Sequence, residues 1–148
     1  MCLARAEATA ENLGFNTMVL SSQIQGEARE AAHVLSSVAL ETLKKDKPVA
    51  KPACIICGGE TTVHIKGNGM GGRNQEMVLS FAMDISNCSG ISFLSCGTDG
   101  TDGPTDAAGA VCNGNTLKTA EEKHLNPASM LNNNDSYNFF SNLGLLVN

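Results

Sequence analysis

Two glycine-rich segments, each following a predicted strand, constrain this chain more than anything else in it. The first runs Lys66-Gly-Asn-Gly-Met-Gly-Gly-Arg-Asn-Gln-Glu76, the second Cys96-Gly-Thr-Asp-Gly-Thr-Asp-Gly-Pro-Thr-Asp106. Around them helices and strands alternate. Residues 2–13 read as a helix stopped by Gly14, residues 15–20 as a short strand and residues 21–26 as a polar loop. Residues 27–45 form the clearest helix, because Ala28, Ala31, Ala32, Leu35, Val38, Ala39 and Leu43 fall on one face. Glu27 and Glu30 suit its positive end, and Lys44 and Lys45 its negative end.

Residues 53–57 and 61–65 read as strands, and the Gly58-Gly59-Glu60 between them predicts a tight β-hairpin. Residues 74–86 predict a helix that is apolar on most sides and so lies between layers. The apolar run 91–95 predicts a central strand. Residues 108–112 follow as a short strand and 116–124 as a helix. Pro127 then breaks the chain, and a last helix is capped by Asn134 or Asp135 and closed by Gly144. This order predicts one α/β domain with a layered, mostly parallel, Rossmann-like sheet, helices on both faces and one hairpin. Ligands of such sheets sit beyond the carboxyl ends of the strands, where both glycine segments lie.

Composition narrows the function classes. The chain has 148 residues, 42% of them apolar and 17% charged, which suits a packed domain. A formal charge of -5, no Trp and few other aromatics argue against nucleic acid as a partner. No apolar run approaches the ~20 residues of a membrane span, and the first residues lack a secretory core. The expectation is therefore no membrane partner and a cytoplasmic location, with a mitochondrial one also open. Cys54 and Cys57 have CxxC spacing but sit in a strand pattern, where residues three apart face opposite ways. All six cysteines are accordingly read as reduced apolar residues.

Gly67, Gly69 and Gly72 satisfy G-x-G-x-x-G, but the acidic residue expected about 20 positions on is absent; that window holds Asn87, Cys88 and Ser89. No Gly-Lys-Ser/Thr completes a P-loop either. Two readings remain. In one, backbone N–H groups at a helix start, with Arg73 as a planar fork, hold a carboxylate or phosphate. In the other, the segment is a turn and Asn74 an N-cap. Asp99, Asp102 and Asp106 are likewise open between metal or proton chemistry and simple Asp-Gly turns. Their spacing is not that of a calcium loop, which needs alternate positions.

The segments Gly71-Gly-Arg-Asn-Gln-Glu76 and Ser95-Cys-Gly-Thr-Asp-Gly-Thr-Asp-Gly-Pro-Thr-Asp-Ala-Ala-Gly109 resemble the C-terminal, MOFRL-type region of class II glycerate kinases. Gly26-Glu-Ala-Arg-Glu30, Gly58-Gly-Glu-Thr-Thr62 and Asn134-Asp-Ser-Tyr137 extend the likeness over essentially the whole chain. The resemblance implies ATP- and Mg2+-dependent phosphorylation of D-glycerate in a cleft between two α/β domains. It also implies that the larger N-terminal domain, with a catalytic lysine, is a separate partner of this portion. Carried over by position, it makes Arg73, Asp99 and Asp102 catalytic. Gly69, Gly71, Gly72, Asn74, Glu60 and Thr98 become substrate or phosphate contacts, with Thr61 a weaker one, and Asp102 and Asp106 metal ligands. The family continues past a segment like Gly144-Leu-Leu-Val147 into a closing strand, so a chain ending at Asn148 is expected to leave a sheet edge unpaired. Two readings compete: half of a kinase site, inactive alone, or a catalytically silent truncated form that binds a small anion or a subunit.

Overall fold

The computed structural model describes residues 2–148. Helix α1 (Cys2–Asn12) precedes strand β1 (Asn16–Glu27), helix α2 (Ala28–Lys45) and strand β2 (Ala53–Thr62). Helix α3 (Arg73–Asp84), strands β3 (Ser92–Cys96) and β4 (Gly109–Asn113) and helix α4 (Thr116–Glu122) come next. Helices α5 (Pro127–Asn132) and α6 (Ser136–Leu143) and the short strand β5 (Leu146–Val147) close the described chain.

The α/β class stands, but the sheet is divided. β1 and β2 pair in parallel across the α2 crossover, while β3, β4 and β5 form a separate antiparallel sheet in that order. β3 is thus an edge strand, and β4 is the central one. β5 pairs Val147 with Gly109 and Leu146 with Ala110 along one edge of β4.

The predicted hairpin at Gly58-Gly59 does not form; β2 runs straight through it, and the residues read as a loop at 21–26 belong to β1. The glycines serve a close approach instead of a turn. Register slips between Ser21 and Ile24, and there a side chain on Gly59 would collide with the Ile24 backbone. Gly59 also has φ 150, which L side chains rarely adopt. Pro127 does not break the chain but opens α5, where its missing N–H costs nothing, and Asn126 caps that helix by accepting the Ser129 N–H.

α3 lies at the centre, with every residue from Gln75 to Ala82 buried. It packs on α2, β3, β4, α5 and α6. Phe81 stacks on Phe93 of β3 with ring centroids 4.0 Å apart, and Phe139 and Phe140 of α6 are completely buried. The deepest thiol, Cys112 of β4, has its pKa pushed up to about 12 by burial, so it is an inert core residue.

Candidate anion-binding site at the start of α3

The two glycine segments meet at the N-terminus of α3. Asp102, 2% exposed, turns its carboxylate onto the first turn of that helix. Its Oδ1 accepts the Asn74 N–H at 3.1 Å and the Asn74 side-chain amide at 3.0 Å, and its Oδ2 accepts the Gln75 N–H at 2.9 Å. Gly72 must be glycine because a side chain there would occupy the Asp102 carboxylate. Asp102 thus caps α3 from a distant loop, placing negative charge at the positive end of the helix dipole. Thr105 holds the loop by donating to the Asp102 carbonyl at 2.8 Å, and the Gln75 side-chain N–H donates to Thr105. Ser95, at the end of β3, donates to Asn74 Oδ1 at 2.7 Å.

The other flank of the glycine segment is fixed by residues 133–137. Asn134 Oδ1 accepts the N–H groups of Lys66 and Gly67, Asn133 takes those of Asn68 and Gly69, and Asp135 takes that of Met70. Tyr137 N–H donates back to the Met70 carbonyl. Side chains on Gly67 or Gly69 would strike Asn133 and Asp135, and one on Gly71 would strike Ser136. The amides from 66 to 70 are therefore consumed inside the protein and do not face a ligand. Those of Gly71, Gly72 and Arg73 have no acceptor among the described residues, and these three run consecutively into the helix. They are the free donors of the site.

Beneath the loop lies a buried polar hub. Arg29 of α2 donates from Nε and Nη2 to Glu76 Oε1, at 3.1 and 2.8 Å, and Asn134 donates from Nδ2 to Glu76 Oε2 at 2.9 Å. Arg29 and Glu76 are 47 positions apart, and Asn134 a further 58. Glu27 extends the hub by accepting from the His64 backbone N–H and contacting its ring Nδ1 at 2.6 Å. Burial pushes the Glu27 carboxyl up, but the His64 hydrogen bonds and the His64 and Arg29 charges outweigh it and hold the group below its usual range.

The predicted site residues divide accordingly. Arg73, Gly71, Gly72, Asn74 and Asp102 are brought together, and Glu60 approaches Arg73 at 3.6 Å across an exposed rim. Thr98 and Asp99 sit on the exposed part of the second loop, where Asp99 accepts from the Thr101 N–H in an Asx turn. Asp106 accepts the Tyr137 hydroxyl at 2.7 Å, a bond that pushes the Tyr137 pKa up. Gly69 packs on Asn133 and Asp135, and Thr61 is buried in β2. The roles of Arg29, Ser95, Asn133 and Glu76 were not assigned from sequence. Arg29, Ser95 and Glu76 fall within segments that carry the family likeness, and Asn133 directly precedes another.

The predicted metal ligands Asp102 and Asp106 are both engaged within the protein. Both Asp102 oxygens are taken by N–H donors and one Asp106 oxygen by a hydroxyl, and no group of three His, Cys, Asp or Glu among the described residues could hold a metal ion. Asp102→Ala removes the cap and strands two backbone N–H groups. It is expected to lower stability by about 2 kcal/mol. A chemical-denaturation series reads this directly, and a change below about 0.5 kcal/mol, the level of a neutral surface substitution, contradicts the capping role.

Comparison with known proteins places this geometry. The MOFRL family model matches residues 53–148. A D-glycerate 2-kinase from Thermotoga maritima is 47% identical over 142 residues, which is 96% of this chain and 34% of that protein. A putative hydroxypyruvate reductase from Agrobacterium vitis is 39% identical over 99% of this chain and 34% of its own length. The crystal structure of a glycerate kinase from Thermotoga maritima superposes with a TM-score of 0.96 at 46% identity, covering 98% of this chain and 35% of that one. The chain thus spans about a third of the length of the curated relatives it matches. No helix among the described residues is long and apolar enough to cross a membrane. With most of its length matched by the family model, and with both glycine segments inside the match, this chain belongs to the MOFRL family.

Proposed function

We propose that this chain is one wall of a D-glycerate kinase site, acting in ATP-dependent phosphoryl transfer to the 2-hydroxyl of glycerate. The observation that carries the reading is the run of three unengaged amides, Gly71–Arg73, opening the capped helix α3, of which Arg73 is the first residue. Relatives named D-glycerate 2-kinase and glycerate 2-kinase support the substrate and the position of transfer. The site binds an anion: the amides and the helix dipole hold a carboxylate or phosphate, and the Arg73 fork can hold two oxygens at once. Asp102 is assigned to positioning, since both its oxygens accept from the first turn of α3. Asp99, which accepts the Thr101 N–H through Oδ1 and has no partner on Oδ2 among the described residues, is assigned to accept a proton from a substrate hydroxyl. Mg2+ would accompany ATP through phosphate oxygens and water, and no step is assigned to it here. The reductase name among the relatives carries less weight, because the amides of residues 66–70 are engaged by residues 133–135 and are not open to a dinucleotide pyrophosphate.

In-line transfer needs both walls of a cleft, and this chain supplies one. The isolated chain is therefore expected to show no glycerate-dependent ATP turnover. A chimera in which it replaces the matching third of the Thermotoga maritima D-glycerate 2-kinase is expected to turn over. A coupled kinase assay checks both. Turnover by the isolated chain, or a cooperatively folded chimera without activity, overturns the assignment in favour of a silent anion- or subunit-binding module.

A further inference from the structure

A cavity of about 350 Å³ lies between the two sheets, well away from the α3 N-terminus. β2 lines it with Ala53, Ile55 and Cys57, and β3 with Phe93. Leu35 of α2 and Phe81 of α3 form its floor. β1 reaches it through Leu20, against three residues of β2, so β2 is the strand of the parallel pair that lines most of the gap. Among the described residues β2 pairs only with β1, and β3 only with β4. Two unpaired strand edges thus border one apolar space.

The opposite face of the gap is also apolar and open. Phe93 stacks on α3, so its neighbour Leu94 points away from that helix, and it is 54% exposed. Leu13, just past the end of α1, is 72% exposed. A small apolar ligand would fill the cavity but leave both strand edges and the Leu94 face bare. A β-strand satisfies all three, because it offers backbone donors and acceptors on both sides and side chains above and below. A parallel pair of only two strands also argues for it, since parallel sheets are ordinarily larger and covered on both faces.

We propose that a β-strand from the remaining two-thirds of the longer protein enters the gap between β2 and β3 and joins the two sheets into one. The relatives' greater length supplies such a segment. The strand is apolar on both faces and uncharged along about five residues, the length of β3. This rests on the reading that the chain works with that remainder, but it is tested without turnover.

Hydrogen exchange on the isolated chain and on the Thermotoga chimera provides the test. Amides of β2 and β3 are expected to gain about tenfold or more protection in the chimera, while those buried in α3 change little. Leu94→Lys in the chimera is expected to reverse much of that gain at the edges. Addition of an apolar dye should give saturable fluorescence with the isolated chain and none with the chimera. Equal edge protection in the two proteins, a gain spread evenly over all elements, no effect of Leu94→Lys, or dye binding retained by the chimera would each overturn the proposal. An inactive chimera that shows the edge protection would refute the kinase reading and leave this one standing.

Discussion

Glu76→Ala is expected to lose about 3–5 kcal/mol of stability, a large fraction of the roughly 5–15 kcal/mol that holds a domain folded. The carboxylate is 2% exposed and is the only acidic group within salt-bridge distance of Arg29 other than Glu27, which lies 3.9 Å away. Removing it leaves the Arg29 guanidinium, itself 17% exposed, with the Leu131 carbonyl at 3.3 Å as its nearest remaining acceptor. It also strips Asn134 Nδ2 of its 2.9 Å acceptor, and Asn134 is the residue that holds the Lys66 and Gly67 amides. The melting temperature should fall by about 6–20 °C on the scaling for domains of this size. The double replacement Arg29→Met, Glu76→Met distinguishes a broken pair from a lost contact. Taking both charges away together is expected to recover most of the loss, because the cost lies in the orphaned charge and not in the absence of the pair. A single-variant loss below about 1 kcal/mol, or a double variant no better than Glu76→Ala, contradicts this account.

That hub also shows what could be read from the sequence and what could not. α2 was legible because its apolar residues recur with helical spacing and α3 as a long run apolar on most sides, and the observed bounds fall close to the predicted ones. The meeting of the two glycine segments was legible too, since both follow strands and ligand-facing loops gather at strand ends. What each glycine does was not legible. Gly59 reads as a turn and is in fact a crossing point of β2 against Ile24; Gly67 and Gly69 read as a ligand cradle and in fact make room for Asn133 and Asp135. Glycine permits close approach in every case, and sequence does not say whether the approaching group is ligand or protein. The Arg29–Glu76–Asn134 contacts join residues 47 and 58 positions apart, and no periodicity or spacing rule reaches so far. Asp102 was visible as a carboxylate in the right place, but its role follows from two lone-pair directions that only the fold fixes.

Arg73→Ala in the active chimera is expected to lower kcat/KM by about a hundredfold, or about 2.7 kcal/mol of transition-state stabilisation. Arg73 does little for the fold. Its one ionic contact is Glu60 at 3.6 Å, and the two side chains are 41% and 79% exposed. An exposed pair of this kind contributes little to stability. Asp102 caps the helix through the two following residues, so the start of α3 survives the change. Arg73 is the first residue of a buried helix, and its amide and those of Gly71 and Gly72 have no acceptor among the described residues, a start where an anion needs a counter-charge and a planar pair of donors. Arg73→Lys keeps the charge but loses the fork, and should recover only part of the activity. Glu60→Ala should leave turnover nearly intact, because it removes only a competitor for the same guanidinium. The melting temperature of all three variants should stay within about 2 °C of the parent, as for neutral surface changes. A loss under threefold for Arg73→Ala takes the guanidinium out of the site, and a large drop in melting temperature moves its role from substrate to fold.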